Sequence, residues 1–192
     1  MQRLGQFVAL LEDWNARHNL VSRASLADVW RRHIWDSAQL VELIPADARN
    51  LVDLGSGAGF PGLILALLLR DRARFHTVLF EATRKKSDFL ALAADRMGVE
   101  AEIRNSRIED ATSQPFDVVA ARACAPLQRL LVYAQAFQGV RTINLFLKGQ
   151  SVGSELTEAH RCWNMEVKEL ASRSDRSGVI LEIERLRPVR QA

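Results

Sequence analysis

The chain has 192 residues, 48% of them apolar and 26% charged, which gives one ordinary globular core and excludes two full-sized catalytic domains. Its longest apolar run, Leu63 to Leu69, is far below the roughly 20 residues that span a bilayer, and Arg3, Glu12 and Asp13 interrupt any signal-peptide pattern, so a cytoplasmic protein without membrane contact is expected. The net charge of +3 permits contact with a polyanion without requiring it, and the two cysteines, Cys124 and Cys162, form neither a Cys-x-x-Cys pair nor a ligand cluster, so packing thiols and no metal are expected.

From the N-terminus, Leu4, Phe7, Val8, Leu11 and Trp14 recur at helical spacing, and Ile34, Ala38 and Val41 continue the pattern. This predicts helix through most of Gln2 to Leu43. The polar stretch His18 to Ser25 interrupts it, with Ser25 placed to cap a helix beginning near Leu26. Residues 1-48 are thus expected as a helical extension, and Pro45 to Asn50 as a connector. Residues 49-192 change to short β-like runs separated by amphipathic stretches, the pattern of an α/β sheet with crossover helices. Strands are predicted at Leu51-Leu54, His76-Phe80, Ala101-Arg104, Asp117-Ala121 and Arg141-Leu147. Helices are predicted at Pro61-Leu69, Arg84-Met97 and Pro126-Phe137, with Pro61 in a first turn and Gly98 as a C-terminal cap. One more helix follows Gln150. Val167-Leu170 and Val179-Ile183 then flank the turn Ser174 to Gly178 as a closing antiparallel hairpin.

The chemistry concentrates where the first strand meets its helix. Gly55, Gly57, Gly59 and Gly62 let the chain turn sharply and let a ligand approach the main chain. The spacing of Gly57, Gly59 and Gly62 also satisfies the dinucleotide fingerprint, so the string alone leaves several nucleotide ligands open. Glu81 ends the second strand about twenty residues on, where a carboxylate accepts hydrogen bonds from both ribose hydroxyls of an adenosine cofactor. Asp53, before the glycines, suits the cationic sulfonium or amino group of S-adenosylmethionine and opposes a pyrophosphate; its alternative role is to brace the loop by accepting from backbone amides. Phe60 either covers the cofactor or packs inward. After the third strand, Asn105 to Asp110 lies at the same sheet end, where backbone amides can read an adenine edge and Ile108 can pack on the ring.

Three separated segments carry a resemblance to a known family. Asp13-Trp14-Asn15-Ala16-Arg17-His18-Asn19-Leu20-Val21-Ser22 with Arg32-His33-Ile34-Trp35-Asp36-Ser37, then Asp53 to Gly62, and then Ala121-Arg122-Ala123 with Leu147-Lys148-Gly149-Gln150, resemble RsmG, also called GidB. Two features depart from the family pattern: a shorter N-terminus, and Ala121 and Cys124 where serine and often phenylalanine stand. The resemblance implies a Rossmann-like class I methyltransferase fold, with a mostly parallel seven-stranded sheet. It implies methyl transfer from S-adenosylmethionine to guanine N7 of 16S ribosomal RNA, with that RNA or the small ribosomal subunit as partner, and a monomer is expected. It carries cofactor contacts to Gly55, Phe60, Ile108, Glu109 and Arg122.

Guanine N7 has a lone pair and no proton, so the acceptor needs no general base, and no His/carboxylate dyad beside the loop is required. A bare cation next to N7 would oppose the charge that the ring gains. Arg122 and Lys148 are therefore expected to reach guanine O6, a phosphate or a partner carboxylate. Arg31, Arg32 and His33 are candidates for RNA phosphates, with an Arg32–Asp36 pair across one helical turn as the alternative. Lys148 either holds RNA or is solvated, and Trp14 continues the core stripe rather than stacking a base. Two other classes remain. An NAD-dependent oxidoreductase shares the loop, but the only tyrosine, Tyr133, lacks a lysine four residues on, where Phe137 stands. A ribosomal-RNA binding factor without catalysis has no need of the Asp53, Gly55, Gly57, Gly59 and Glu81 set.

Overall fold

A computed structural model describes residues 1–189; the last three residues of the expected 49-192 unit lie outside them. Seven strands form one sheet in the order β3-β2-β1-β4-β5-β7-β6. They are β1 (Asn50–Leu54), β2 (His76–Phe80), β3 (Glu102–Arg104), β4 (Val118–Arg122), β5 (Ile143–Lys148), β6 (Trp163–Ala171) and β7 (Val179–Pro188). The first five run parallel, and the β6–β7 hairpin adds antiparallel to β5.

The central strands are buried on both faces because helices cover both. Val52, Leu54, Val78, Phe80, Val119 and Ala121 pack beneath α6 (Leu127–Gln135) and α7 (Val152–Ala159). The alternate residues face α4 (Gly62–Leu69), α5 (Arg84–Met97) and the N-terminal helices. The predicted helix Arg84–Met97 is observed to the residue, closed by Gly98 in the left-handed conformation at φ 57°. β2 likewise spans the predicted His76–Phe80, and the other strand and helix ends differ by one to a few residues: α4 starts one residue after Pro61. The hairpin differs more. Its strands run nine and ten residues, because alternation with an exposed polar face, as at Glu166, Lys168 and Arg187, hides a strand from a search for apolar runs.

The N-terminal segment is less regular than its spacing suggests. Helix α1 (Gln2–His18) stops where Asn19 turns left-handed at φ 47°. The next turn, α2 (Arg23–Leu26), is capped by Ser22, whose hydroxyl accepts from the Ser25 amide; Ser25 is therefore inside the helix and not its cap. A π-helical turn (Trp30–Trp35), α3 (Asp36–Ala38) and a 3-10 turn (Gln39–Leu43) follow. This segment packs into a shared core, with Phe7, Leu11, Val29 and Ile34 in one cluster with Leu63, Phe89 and Leu90. The Trp14 indole, half-buried, lies 5.5 Å from the Phe89 ring and 5.2 Å from His18. None of the described helices is long and apolar enough to cross a membrane.

Candidate active site

The loops after β1, β2, β3 and β4 leave the sheet at one end, the end where open parallel sheets bind ligands. The glycine loop is held from below by two carboxylates. Asp53, wholly buried, accepts the Gly62 amide at 3.0 Å through Oδ2, while its Oδ1 has no hydrogen-bond partner among the described residues. Burial pushes its pKa up to about 7, against the opposing pull of the Ser56 and Gly62 hydrogen bonds and of Arg122. Glu81, also buried, accepts the Gly57 amide at 3.0 Å and the Thr83 amide at 2.7 Å through its two oxygens. Each Glu81 oxygen retains a further lone pair toward the cavities that Glu81 lines, whereas Asp53 is enclosed beneath the loop.

Glycine is required where the loop meets its neighbours. A Cβ on Gly62 would sit 2.2 Å from Leu79 and 2.5 Å from Asp53, and one on Gly55, at φ +72°, would sit 2.5 Å from the Cys124 sulfur. Cys124 is thus a packing thiol against the loop, and burial raises its pKa to about 11. Its cradle position leaves no reactive thiolate.

Around this loop the surface forms a three-part groove. A cavity of about 350 Å³ is lined by Gly55, Glu81, Ser106, Ile108, Glu109 and Tyr133. It contains the Ile108–Glu109 shelf expected at the adenine end. There Glu109 accepts from Tyr133 at 2.7 Å and pairs with Arg129 at 3.0 Å. A second cavity, about 310 Å³, shares Gly55, Glu81 and Cys124 with the first and adds Gly57, Phe60, Arg122 and Ala123. Leu20 and Val21 roof it, placed by Asn15, whose buried side chain accepts the Val21 amide at 2.8 Å. A third, about 440 Å³, meets the second at Arg122 and Ala123 and extends to His33, Asp36, Lys148 and Glu155. Ala123 holds φ 48° at this junction, a left-handed conformation rare for a residue with a Cβ.

Arg122 forms the partition. Its guanidinium lies 5.0 Å from the Phe60 ring, donates to the Arg32 carbonyl at 2.8 Å, pairs with Asp36 at 3.4 Å and donates to His33 Nδ1. The Arg32–Asp36 pair, one of the two alternatives, is not formed; Asp36 is held by Arg122, Ser174 and Gln39. His33 is buried and stacked on Phe60 with centroids 4.7 Å apart. Burial, then the Arg122 charge, lower its pKa to about 3, so it is neutral at pH 7 and offers no cation to a phosphate. Phe60 itself is buried beneath His33 and Arg122 and edges Phe7 at 5.4 Å. Lys148 is not a solvated lysine: only 11% exposed, it pairs with Glu155 at 2.7 Å. Arg31 and Arg32 are exposed.

The parts that sequence reasoning missed all depend on distant partners. Asp36 reaches Arg122 across 86 positions and Ser174 across 138. Glu155 carries no sequence signal, because only the sheet brings α7 against the end of β5.

Residues 1–178 match the family model GidB, described as rRNA small subunit methyltransferase G. A ribosomal RNA small subunit methyltransferase G of Rhodospirillum rubrum is 48% identical over 183 residues, 95% of this chain and 89% of that protein. The protein of the same name from Parvibaculum lavamentivorans is 45% identical over 185 residues, 95% and 82% of the two chains. Among solved structures, the ribosomal protein L11 methylase of Lactobacillus delbrueckii subsp. bulgaricus aligns with a TM-score of 0.63 over 78% of this chain and 76% of that one, at 15% identity. That likeness bears on the fold alone, and the fold is the Rossmann-like methyltransferase fold anticipated above.

Proposed function

The chain belongs to the GidB family of rRNA small subunit methyltransferases G, and from that premise we propose that it transfers a methyl group from S-adenosylmethionine to N7 of a guanine in 16S ribosomal RNA. The observation that carries this reading is the continuous groove from Ile108 to Arg122 with a separate, larger cavity opening across Arg122 and Ala123. One arm suits an adenosine-containing donor, the other an extruded base.

The residues fit the cofactor on two counts. A Cβ on Gly57 would meet only the Gly55 carbonyl oxygen, at 3.9 Å, so the main chain there is open to close approach by a ligand. Glu81 lines both donor-side cavities, and the second lone pairs of its oxygens are acceptors for donors the protein does not supply. In this reading Glu81 takes the ribose hydroxyls, the Ile108–Glu109 shelf the adenine, and the Asp53, Gly55, Gly57 and Gly59 end with Phe60 the methionine portion. S-adenosylmethionine, when bound, supplies the electrophilic methyl group.

The protein then has to align the acceptor and exclude water, and effective molarity from such positioning supplies several kcal/mol. A base is not needed for an atom without a proton. The electrostatics suit a reaction that leaves positive charge on the ring. Two of the three cations that line the acceptor cavity are matched by carboxylates, Arg122 by Asp36 and Lys148 by Glu155; the third, Arg32, stands at the mouth, and His33 is neutral. Arg122 positions the acceptor through the Asp36 and Arg32 contacts, while Lys148 serves the O6 or phosphate side. In this reading the RNA-facing cations are Arg32, at the mouth of the cavity, and Arg31, outside it; His33 stays inside the wall.

The test is methylation of small-subunit RNA and of small-subunit particles from cells lacking the gene, followed by borohydride/aniline cleavage at N7-methylguanine. A single new cleavage that depends on the enzyme is expected. Incorporation at another atom would retain the methyltransferase and refute the N7 assignment.

A further inference from the structure

Trp30 and Trp35 are 43% and 45% exposed, on a segment whose intervening residues His33 and Ile34 are buried. On a 3.6-residue helix, positions five apart diverge by about 140°. The π-helical turn changes this: its bonds run from i to i+5, as from the Asp36 amide to the Arg31 carbonyl, so the rotation per residue is smaller and residues 30 and 35 fall much nearer the same side than in an α-helix. Both indoles therefore share an outer face, with Arg31 beside them. Arg122 fixes the turn by donating to the Arg32 carbonyl at 2.8 Å, so the groove and this face are set by one guanidinium.

The face also carries charge. Arg31 pairs with Asp28 and donates to the Ser174 carbonyl at 3.0 Å, leaving its guanidinium exposed at the rim. The Arg32 side chain lines the mouth of the acceptor cavity and makes no side-chain hydrogen bond or ion pair among the described residues. Two exposed indoles interleaved with two guanidiniums, beside a cavity sized for a base, match the pattern of a single-strand platform: rings stack bases and cations track phosphates. A second copy of the chain would meet the same arginines on its own face, with like charges opposed.

We propose that the Trp30–Arg31–Arg32–Trp35 face is a docking platform for single-stranded RNA flanking the acceptor base. The bases stack on Trp30 and Trp35, and the phosphates pair with Arg31 and Arg32. The proposal rests on the RNA-methylation reading and extends it to residues outside the groove.

The test uses the full chain and a fluorescein-labelled oligouridylate of about 12 nucleotides, a length within single-strand site sizes. Trp30→Leu/Trp35→Leu keeps apolar bulk and removes the rings; Trp30→Phe/Trp35→Phe keeps rings. The leucine pair is expected to weaken oligonucleotide binding about tenfold or more, from stacking at two bases, and the phenylalanine pair by much less. For small-subunit RNA, the leucine pair should raise KM and leave kcat and S-adenosylhomocysteine affinity unchanged. Unchanged binding in the leucine pair, or equal losses in both pairs, overturns the platform. So does a wild-type dimer that the leucine pair dissociates, which assigns the face to self-association. Should the leucine pair fail to bind S-adenosylhomocysteine, Arg31→Gln/Arg32→Gln decides: the salt slope of oligonucleotide binding must fall by about one unit or more, and an unchanged slope overturns the proposal. If the wild type methylates no RNA yet these binding losses appear, the proposed function falls and the platform stands.

Discussion

The two arms of the groove are held by different kinds of contact. The donor arm is braced by main chain: Asp53 on the Gly62 amide, Glu81 on the Gly57 and Thr83 amides, and the Ser56 amide on the Phe80 carbonyl at 2.9 Å. The acceptor arm is braced by side chains from distant segments, Arg122 with Asp36, Lys148 with Glu155, and Ser174 with Asp36. Backbone bracing gives a rigid cradle for a donor of fixed shape. Side-chain pairs tie the acceptor cavity to the N-terminal unit and the β6–β7 hairpin, so the arm that receives RNA depends on the hairpin, while the N-terminal unit borders both arms.

Gly62→Ala breaks the donor arm most severely. Its Cβ falls on Leu79 and Asp53 at once, so urea unfolding should show a loss of roughly 3 kcal/mol, together with loss of S-adenosylhomocysteine binding. Stability close to wild type would show that α4 can shift away from β1, and that the cradle is not rigid.

Lys148→Met acts on the acceptor arm instead. It leaves the mostly buried Glu155 without its cation, which should cost roughly 2 kcal/mol. Part of this is regained in Lys148→Met/Glu155→Gln. KM for RNA should rise while cofactor affinity holds; a matching fall in cofactor affinity would mean that the two arms are not separable.

Glu81→Gln should lower S-adenosylhomocysteine affinity about tenfold, the worth of one charge-assisted hydrogen bond, by calorimetry. RNA binding should be untouched.

The smallest net effect is expected with pH, because two buried groups oppose each other. Asp53 has a raised pKa, from 3.8 to about 7, so its contribution to stability is present in acid and is lost as pH rises through that interval. His33 has a lowered pKa, from 6.5 to about 3, so its contribution is present above 6.5 and is lost as pH falls toward 3. Between these limits the slopes cancel in the wild type. Asp53→Asn should unmask His33, and its stability should climb with pH across that window. A variant curve parallel to the wild type would remove Asp53 as a titrating group.

The same contrast decides what was legible in the sequence. The donor arm is local: Asp53 lies nine positions from the amide it accepts, and Glu81 two positions from Thr83. Glycines, strand ends and capping positions therefore pointed to it directly, and α5 was predicted to the residue because Gly98 marks its end. The residues of the acceptor arm were named from sequence but their pairings were not legible, since Arg32 and Asp36 look like an ordinary helical pair until the sheet delivers Arg122 to Asp36 and to the Arg32 carbonyl. The π-helical turn was hidden for a related reason. One extra residue in a turn shifts the apolar stripe without leaving any residue type as its mark. Asp53 shows both sides: its bracing of Gly62 was one of two roles open from sequence, and its unpartnered Oδ1 only the packed structure could reveal.

The most direct test of the donor groove is calorimetric titration of the wild-type chain with S-adenosylhomocysteine and, in parallel, with NAD. Saturable one-site binding of S-adenosylhomocysteine, weakened in Glu81→Gln, with no heat from NAD, is the predicted result. Binding of NAD without binding of S-adenosylhomocysteine would contradict the account.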